Sequence, residues 1–241
     1  MRKILLYLIC LTFSFACNEI EFDCFQSTGP IESYELDFTQ IDSLIVHDNI
    51  AVSISSAPHQ RVVTETGKNL FSDLQFIQNG KTLTVYNNNY CNWVREKHSP
   101  ILHLSTSSLK YLSPSGSGDI TSANLLTIDT LTIFTQRSSS SLHLKINSQL
   151  IRIISNSISP VTLEGDSEVL SLGMYYNIGN LECSKLKANT VTVNHRGLGR
   201  ITVNPIKMLS VNLYSEGDVE YVHQPDSISV QHTGGGELIG P

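Results

Sequence analysis

Arg200, Asp218 and Glu237 each stand one place before the apolar residue that closes a glycine-bearing turn, at intervals of 18 and 19 residues. If those turns stack, equivalent residues on neighbouring strands lie about 4.8 Å apart. The three side chains then become neighbours on successive coils. Clustered acids beside a base are what a polysaccharide lyase on a β-helical scaffold needs, often with calcium, to remove a proton from an acidic sugar. The favoured reading is a surface charge ladder in which Arg200 relieves repulsion between its acidic neighbours. Exposed pairs of that kind contribute little to stability.

The rest of the column weakens the catalytic reading. It runs Asp119, Ser141, Pro160, Asn180, Arg200, Asp218, Glu237, so the acid is lost in four of seven copies. Gly116-Ser117-Gly118-Asp119 is similar to the glycine–aspartate calcium repeats of some solenoids. Those repeats recur every nine residues and keep the acid each time, so calcium is not expected here. Ser117 lies between Gly116 and Gly118, too close for a Gly-x-Ser-x-Gly nucleophile elbow. The eight His residues are scattered, without metal-ligand spacing. No catalytic set emerges, and the chain is expected to be no enzyme, with no cofactor and no metal. Trp93, the single Trp, lies with Tyr90, Arg95 and Lys97 in an irregular stretch. An exposed aromatic beside cations stacks well on a sugar ring, so Trp93 and Arg95 join Arg200, Asp218 and Glu237 as a candidate ligand surface. The competing role for Trp93, and the favoured one, is to plug the end of a stack of strands.

These residues sit on a repeat of about twenty residues. Its apolar closing positions are Ile120, Leu142, Val161, Leu181, Ile201, Val219 and Leu238, with spacings of 22, 19, 20, 20, 18 and 19. A fixed period of this size marks a solenoid, in which each unit buries its apolar edge against the next. Half a repeat later come second apolar segments such as Leu131-Thr132-Ile133, Val191-Thr192-Val193 and Ile228-Ser229-Val230. Two strands and two turns per coil are expected, with the glycines supplying turn conformations of positive φ. An antiparallel sandwich also shows regular strands, but the repeating turn signature favours the solenoid. The expected fold is therefore all-β: a single-domain β-solenoid, a β-helix-like stack of coils of about twenty residues, with an N-terminal β region.

Composition agrees. Of 241 residues, 40% are apolar and only 16% charged, a mix that suits strands joined by short turns. A net charge of −6 leaves no basic stripe for phosphates, which argues against nucleic acid as a partner. Arg2-Lys3 precede an apolar stretch, Ile4 to Ala16, that is too short to span a bilayer. Residues 1–16 read as a cleaved signal. Ser14-Phe15-Ala16-Cys17 resembles a bacterial lipobox, with Ser14 where Leu is usual. Cys17 is accordingly the expected lipid attachment site and 17–33 a lipidated tether, with ordinary secretion as the alternative. Its Glu19, Glu21 and Asp23 resemble a surface-export signal, and they also suit a solvated tether. Cys24 and Cys91 both sit in polar, turn-rich segments of what would be an oxidising compartment, so a Cys24–Cys91 disulfide is expected. Cys183 ends an apolar strand and reads as a buried free thiol.

The domain proper is expected over 34–241, with N-terminal strands over 34–112 and repeats over 113–241. Gln78-Asn79-Gly80-Lys81 predicts a hairpin, and Asn69–Asp73 a short helical turn. Whether the N-terminal strands continue the solenoid or form a separate sheet is open at this level.

Ser115-Gly116-Ser117-Gly118-Asp119-Ile120, the later Gly-bearing turns and Thr233-Gly234-Gly235-Gly236-Glu237-Leu238 resemble the DUF2807 family, the auto-transporter adhesin head GIN domain. Tyr221-Val222-His223-Gln224-Pro225 is similar to that family's Tyr-x-Gly-x-Pro segment, with His223 where Gly is usual. Asn69-Leu70, Leu74 and Leu83-Thr84-Val85 fit its N-terminal half. The similarity covers roughly 40–239. It implies a β-helix-like fold and a cell-envelope location, as in Bacteroidota lipoproteins, and no established activity.

The expected function is a non-enzymatic binding or adhesion surface on an outer-membrane lipoprotein, at the cell surface or the periplasmic face. Its partners would be the membrane, through the N-terminal lipid, and a glycan or an envelope or host protein. Ladders of Ser, Thr and Asn offer many weak contacts that add by repetition. The alternatives are a carbohydrate-active enzyme on the same scaffold and a periplasmic structural or envelope-stress protein.

Overall fold

The structure, a computed structural model, describes residues 26–89, 99–176 and 178–241. Strand β1 (Ile31–Leu36) starts three residues before the expected boundary. It is followed by β2 (Ser43–Asp48), β3 (Ala51–Ser55) and β4 (Arg61–Gly67). A 3-10 helix over Lys68–Asp73 matches the expected helical turn. The hairpin of β5 (Leu74–Asn79) and β6 (Thr82–Asn87) turns at Gly80, whose φ of +59° suits a two-residue loop. Next come β7 (Ile101–Ser105), β8 (Tyr111–Gly116), β9 (Ile120–Ser122), β10 (Leu126–Thr127) and β11 (Thr130–Gln136). Four long strands follow: β12 (Leu142–Asn156), β13 (Val161–Tyr175), β14 (Leu181–Arg196) and β15 (Ile201–Leu213). Strands β16 (Val219–Tyr221), β17 (Ser227–His232) and β18 (Leu238–Ile239) complete the stack.

The register is that of the sequence repeat. Ile120 pairs with Leu142, and the parallel column continues through Val161, Leu181, Ile201 and Val219 to Leu238. A second column, half a coil away, runs Leu131, Ile151, Leu170, Val191, Leu209, Ile228. One repeat is thus one coil of a β-solenoid. Side-chain alternation sends every second residue inward, and the inward set, including Leu44, Leu112, Ile133, Ile153, Leu172, Val193 and Val211, is fully buried. Each such side chain contributes about 1.5–3 kcal/mol by leaving water.

Two expectations need correction. In the coils of β12–β15 the second turn is a corner within one unbroken strand, whereas β9–β11 and β16–β17 keep the two halves as separate strands. In β12 the Ser148 hydroxyl donates to the carbonyls of Asp129 and Leu150, and in β13 that of Ser167 donates to Val169, so the bend keeps its backbone groups paired. The turn glycines, for their part, do not work through positive φ, which among described glycines occurs at Gly29, Gly80 and Gly165. Gly179, Gly199 and Gly236 are needed because the coils approach so closely. A Cβ on Gly179 would stand 2.7 Å from the Ser159 carbonyl oxygen, and those on Gly199 and Gly236 would press on the carbonyls of Gly179 and Gly217.

The N-terminal strands do continue the solenoid, out of chain order. β2 lies parallel between β6 and β8, while β3 lies parallel between β7 and β9. The coil β2–β3 is therefore sandwiched between two later strand pairs, β6–β7 and β8–β9. β4 then runs antiparallel on β7, β1 antiparallel on β4, and β5 antiparallel on β6. These strands close that end of the stack, and Glu35–Arg61 and Glu32–Lys68 ion pairs charge the closing edge. Trp93, expected to plug an end, lies outside the described residues.

Candidate functional site

At the turn edge the sequence column is physically real. The Ile201 N–H donates to the Asp218 carbonyl at 3.1 Å and the Val219 N–H to the Glu237 carbonyl at 2.9 Å. The three side chains do not form one cluster, however. Asp218 Oδ1 accepts the Glu237 backbone N–H at 2.9 Å, as Asn180 Oδ1 accepts that of Arg200, also at 2.9 Å. The column thus joins coil to coil through side-chain acceptors. Arg200 reaches Glu220 at 3.7 Å across an exposed edge. Beside it lies a shallow recess of about 380 Å³ lined by Ile178, Asn180, Leu198, Arg200, Glu216 and Asp218, so Arg200 and Asp218 border one recess that Glu237 does not line. Among the described residues, no group of three or more His, Cys, Asp or Glu side chains could hold a metal ion. Trp93, Arg95, Cys17, Cys24 and Cys91 lie outside the described residues. Cys183 is fully buried and free, and burial pushes its thiol far above the ordinary cysteine range.

The two broad faces of the solenoid differ in chemistry. One is built from the first halves of β12–β14 and their neighbours, and it carries charges of both signs. Glu164 there receives Lys185 at 3.4 Å and His143 at 3.3 Å. Burial pushes the Glu164 carboxyl up, but the hydrogen bonds from Lys185 and His143 outweigh it and hold the group below its ordinary value. The corner between the faces holds a polar groove of about 750 Å³ lined by Asp129, Asn147, Asp166, Glu168 and Lys187, among others.

The other face comprises β2, β6, β8, β11, β17 and the second halves of β12–β15. Among the described residues none of its alternating outward positions is Asp or Glu, in a chain with 22 acids, and the one acid within these strand segments is Asp48, exposed at the end of β2. Ser171, Thr192, Ser210 and Ser229 form one outward column, and Gly173, Asn194, Asn212 and Gln231 the next. Asn212 Nδ2 donates to Asn194 Oδ1 at 2.9 Å. Along the rim, Tyr175 pairs in register with Arg196, whose guanidinium lies 4.5 Å over the Tyr214 ring. The Tyr175 ring leans across Gly173, where a Cβ would stand 2.8 Å from Cε2. The result is a flat grid of hydroxyls and amides with an aromatic and cationic rim.

This rim escaped the sequence reading, although Tyr175, Arg196 and Tyr214 follow one another at 21 and 18 residues, the coil period. His195, one of the scattered His residues, is fully buried beneath the same rim. Its Nε2–H donates to the Gly199 carbonyl at 2.7 Å and its Nδ1 accepts the Gly197 N–H at 3.2 Å. Gly217 packs on the ring with no room for a Cβ. Burial pushes the imidazole below its ordinary value, against the opposing pulls of the Gly199 carbonyl and Asp218.

A family model described as "Putative auto-transporter adhesin, head GIN domain" matches residues 37–225. The chain belongs to the DUF2807 family. Solved structures share the fold at low identity. One, titled a putative adhesin from Bacteroides fragilis, is 18% identical, covers 88% of this chain and 97% of its own, and has a TM-score of 0.79. A second, from Parabacteroides distasonis, is titled a putative lipid binding protein. It is 16% identical over 89% of this chain and 98% of its own, with a TM-score of 0.69. A third, titled a putative adhesin from the same species, is 14% identical over 88% and 98%, with a TM-score of 0.65. A search of curated proteins gave no match. The DUF2807 match ends at Pro225, the last residue of the Tyr221–Pro225 segment, where His223 replaces the usual Gly. There His223 Nδ1–H donates to the Pro205 carbonyl at 3.0 Å, pinning that corner to the preceding coil. Among the described residues no helix is long and apolar enough to cross a membrane.

Proposed function

We propose that this DUF2807 chain is a non-enzymatic binding protein of adhesion type, held at the outer membrane through Cys17 and presenting the acid-free face to its partner. The observation that carries this reading is the contrast between the faces. One is charged and internally paired, whereas the other offers repeated hydroxyls and amides with no acid among its alternating outward positions. Repetition over a flat surface lets weak contacts add without a deep pocket. The family description and the lipobox-like Ser14–Cys17 segment support an envelope address.

Protease shaving of intact cells, followed by peptide mass spectrometry and an attachment assay on the shaved cells, tests the reading. Peptides from the domain should be released without lysis, and attachment to mucin- or matrix-coated surfaces should fall. Release only after lysis would overturn surface presentation and leave the structural periplasmic role.

A further inference from the structure

Three features of the acid-free face converge near the last coils. The first is an aromatic surface. Because Gly173 has no side chain, the Tyr175 ring lies across the sheet instead of standing away from it, and it remains half-exposed. An aromatic ring laid on a flat polar sheet presents an apolar platform beside hydrogen-bonding groups.

The second is the amide pair. Asn194 is in register with Gly173 on one side and with Asn212 on the other, so it adjoins the Tyr175 ring. The single bond from Asn212 Nδ2 to Asn194 Oδ1 leaves the Asn194 amide as donor and the Asn212 carbonyl as acceptor. A donor and an acceptor one strand spacing apart complement adjacent hydroxyls, each of which can both give and take a hydrogen bond.

The third is an uncompensated cation. Arg196 is stacked on Tyr214, which fixes its plane and leaves the guanidinium edge open. Its register neighbour on the preceding coil, Tyr175, is uncharged, and among the described residues the one acid within this face, Asp48, lies on β2, with β8, β11, β12 and β13 between it and the strand of Arg196. An exposed guanidinium held flat is suited to bidentate recognition of a carboxylate.

We propose that Tyr175, Asn194, Arg196, Asn212 and Tyr214 form a subsite for a carboxylate-bearing glycan. A sugar ring stacks on Tyr175, its hydroxyls bond Asn194 and Asn212, and its carboxylate meets Arg196. The Ser171–Thr192–Ser210 column extends the site along the stack. This subsite rests on the reading of the face as the binding surface.

The test is titration of the full mature chain with oligogalacturonates, alginate oligomers and sialyl-oligosaccharides, each against a neutral counterpart. The acidic member of at least one pair should bind at least tenfold more tightly. Arg196→Gln should abolish that preference while Tyr175→Leu weakens both members, and Arg200→Gln, on the turn edge, should change nothing. No acidic preference in any pair, or an equal loss from Arg200→Gln, overturns the subsite. If it falls while attachment still responds to substitutions on the face, the binding-face reading stands. If attachment ignores them too, both fall.

Discussion

Gly199 and Gly80 are glycines for opposite reasons, and alanine separates them. At Gly199 a Cβ would meet the Gly179 carbonyl oxygen, with the Gly179 carbonyl carbon at 2.9 Å and that of Ile178 at 3.1 Å, all backbone of the preceding coil. No side chain can swing away, so the coils must part. Overpacking of a tight contact costs about 1–3 kcal/mol. Stretching a neighbouring inter-coil bond, such as Leu181 N–H to the Arg200 carbonyl at 3.0 Å, adds on the order of 1 kcal/mol. Gly199→Ala should therefore cost about 2–4 kcal/mol, a Tm drop of roughly 4–16 °C for a domain of this size. Gly80 has open space around it and a φ of +59°. Gly80→Ala should cost only the left-handed conformation, about 1–2 kcal/mol, and Gly80→Asn less, since Asn tolerates that region. At Gly199, Asn should be at least as damaging as Ala. Thermal unfolding followed by circular dichroism reads all four variants. A Gly199→Ala protein that melts within a degree or two of wild type would refute the close-approach argument.

Other consequences are equally direct. Because the folded-state pKa of His195 lies below its unfolded value, the unfolded chain binds more protons in the window below about 6.5. Stability should fall as pH drops through that window, by at most about 1.4 kcal/mol per pH unit. His195→Gln should flatten that part of a urea-midpoint profile, and an unchanged slope would contradict the assignment. Cys183 should resist maleimide in the native protein and label only on unfolding, as read by peptide mass. Asp218→Ala should cost about 0.5–1.5 kcal/mol by removing the acceptor for the Glu237 N–H. Asp218→Asn, which keeps an acceptor, should melt close to wild type, whereas a catalytic carboxylate would make Asn and Ala equally damaging to activity.

The solenoid was legible because its period is enforced twice, by the inward apolar column and by the turn. Ile120, Leu142 and Val161 align in the sequence for the same reason that they pair in the sheet. The order of the first coils was not legible, since nothing local to β2 or β6 states which of them will lie next to β8. That choice is made by tertiary pairing after β4 and β5 have left the stack. The role of the turn glycines was misread because a close approach between coils leaves the same residue in the sequence as a positive φ does. The site was hidden by the choice of column. Charge drew attention to Arg200, Asp218 and Glu237, of which Asp218 spends its carboxylate on the Glu237 main chain and Arg200 its guanidinium on an exposed ion pair. Tyr175, Asn194 and Arg196 gain meaning only when alternation places them on one face and Gly173 lets a ring lie down.

The central claim is that the acid-free face does the binding, and substitutions that leave the fold intact can test it. Beads coated with the full mature chain would be scored for attachment to mucin, matrix and bacterial cell surfaces. One variant would carry Thr192→Glu and Ser210→Glu in the middle of the face, and another Lys185→Glu and Thr162→Glu on the opposite face. All proteins would first be matched for circular dichroism and Tm. The account predicts that the first variant loses attachment and the second keeps it. Attachment that survives charge on the acid-free face, or disappears equally with either variant, would contradict it.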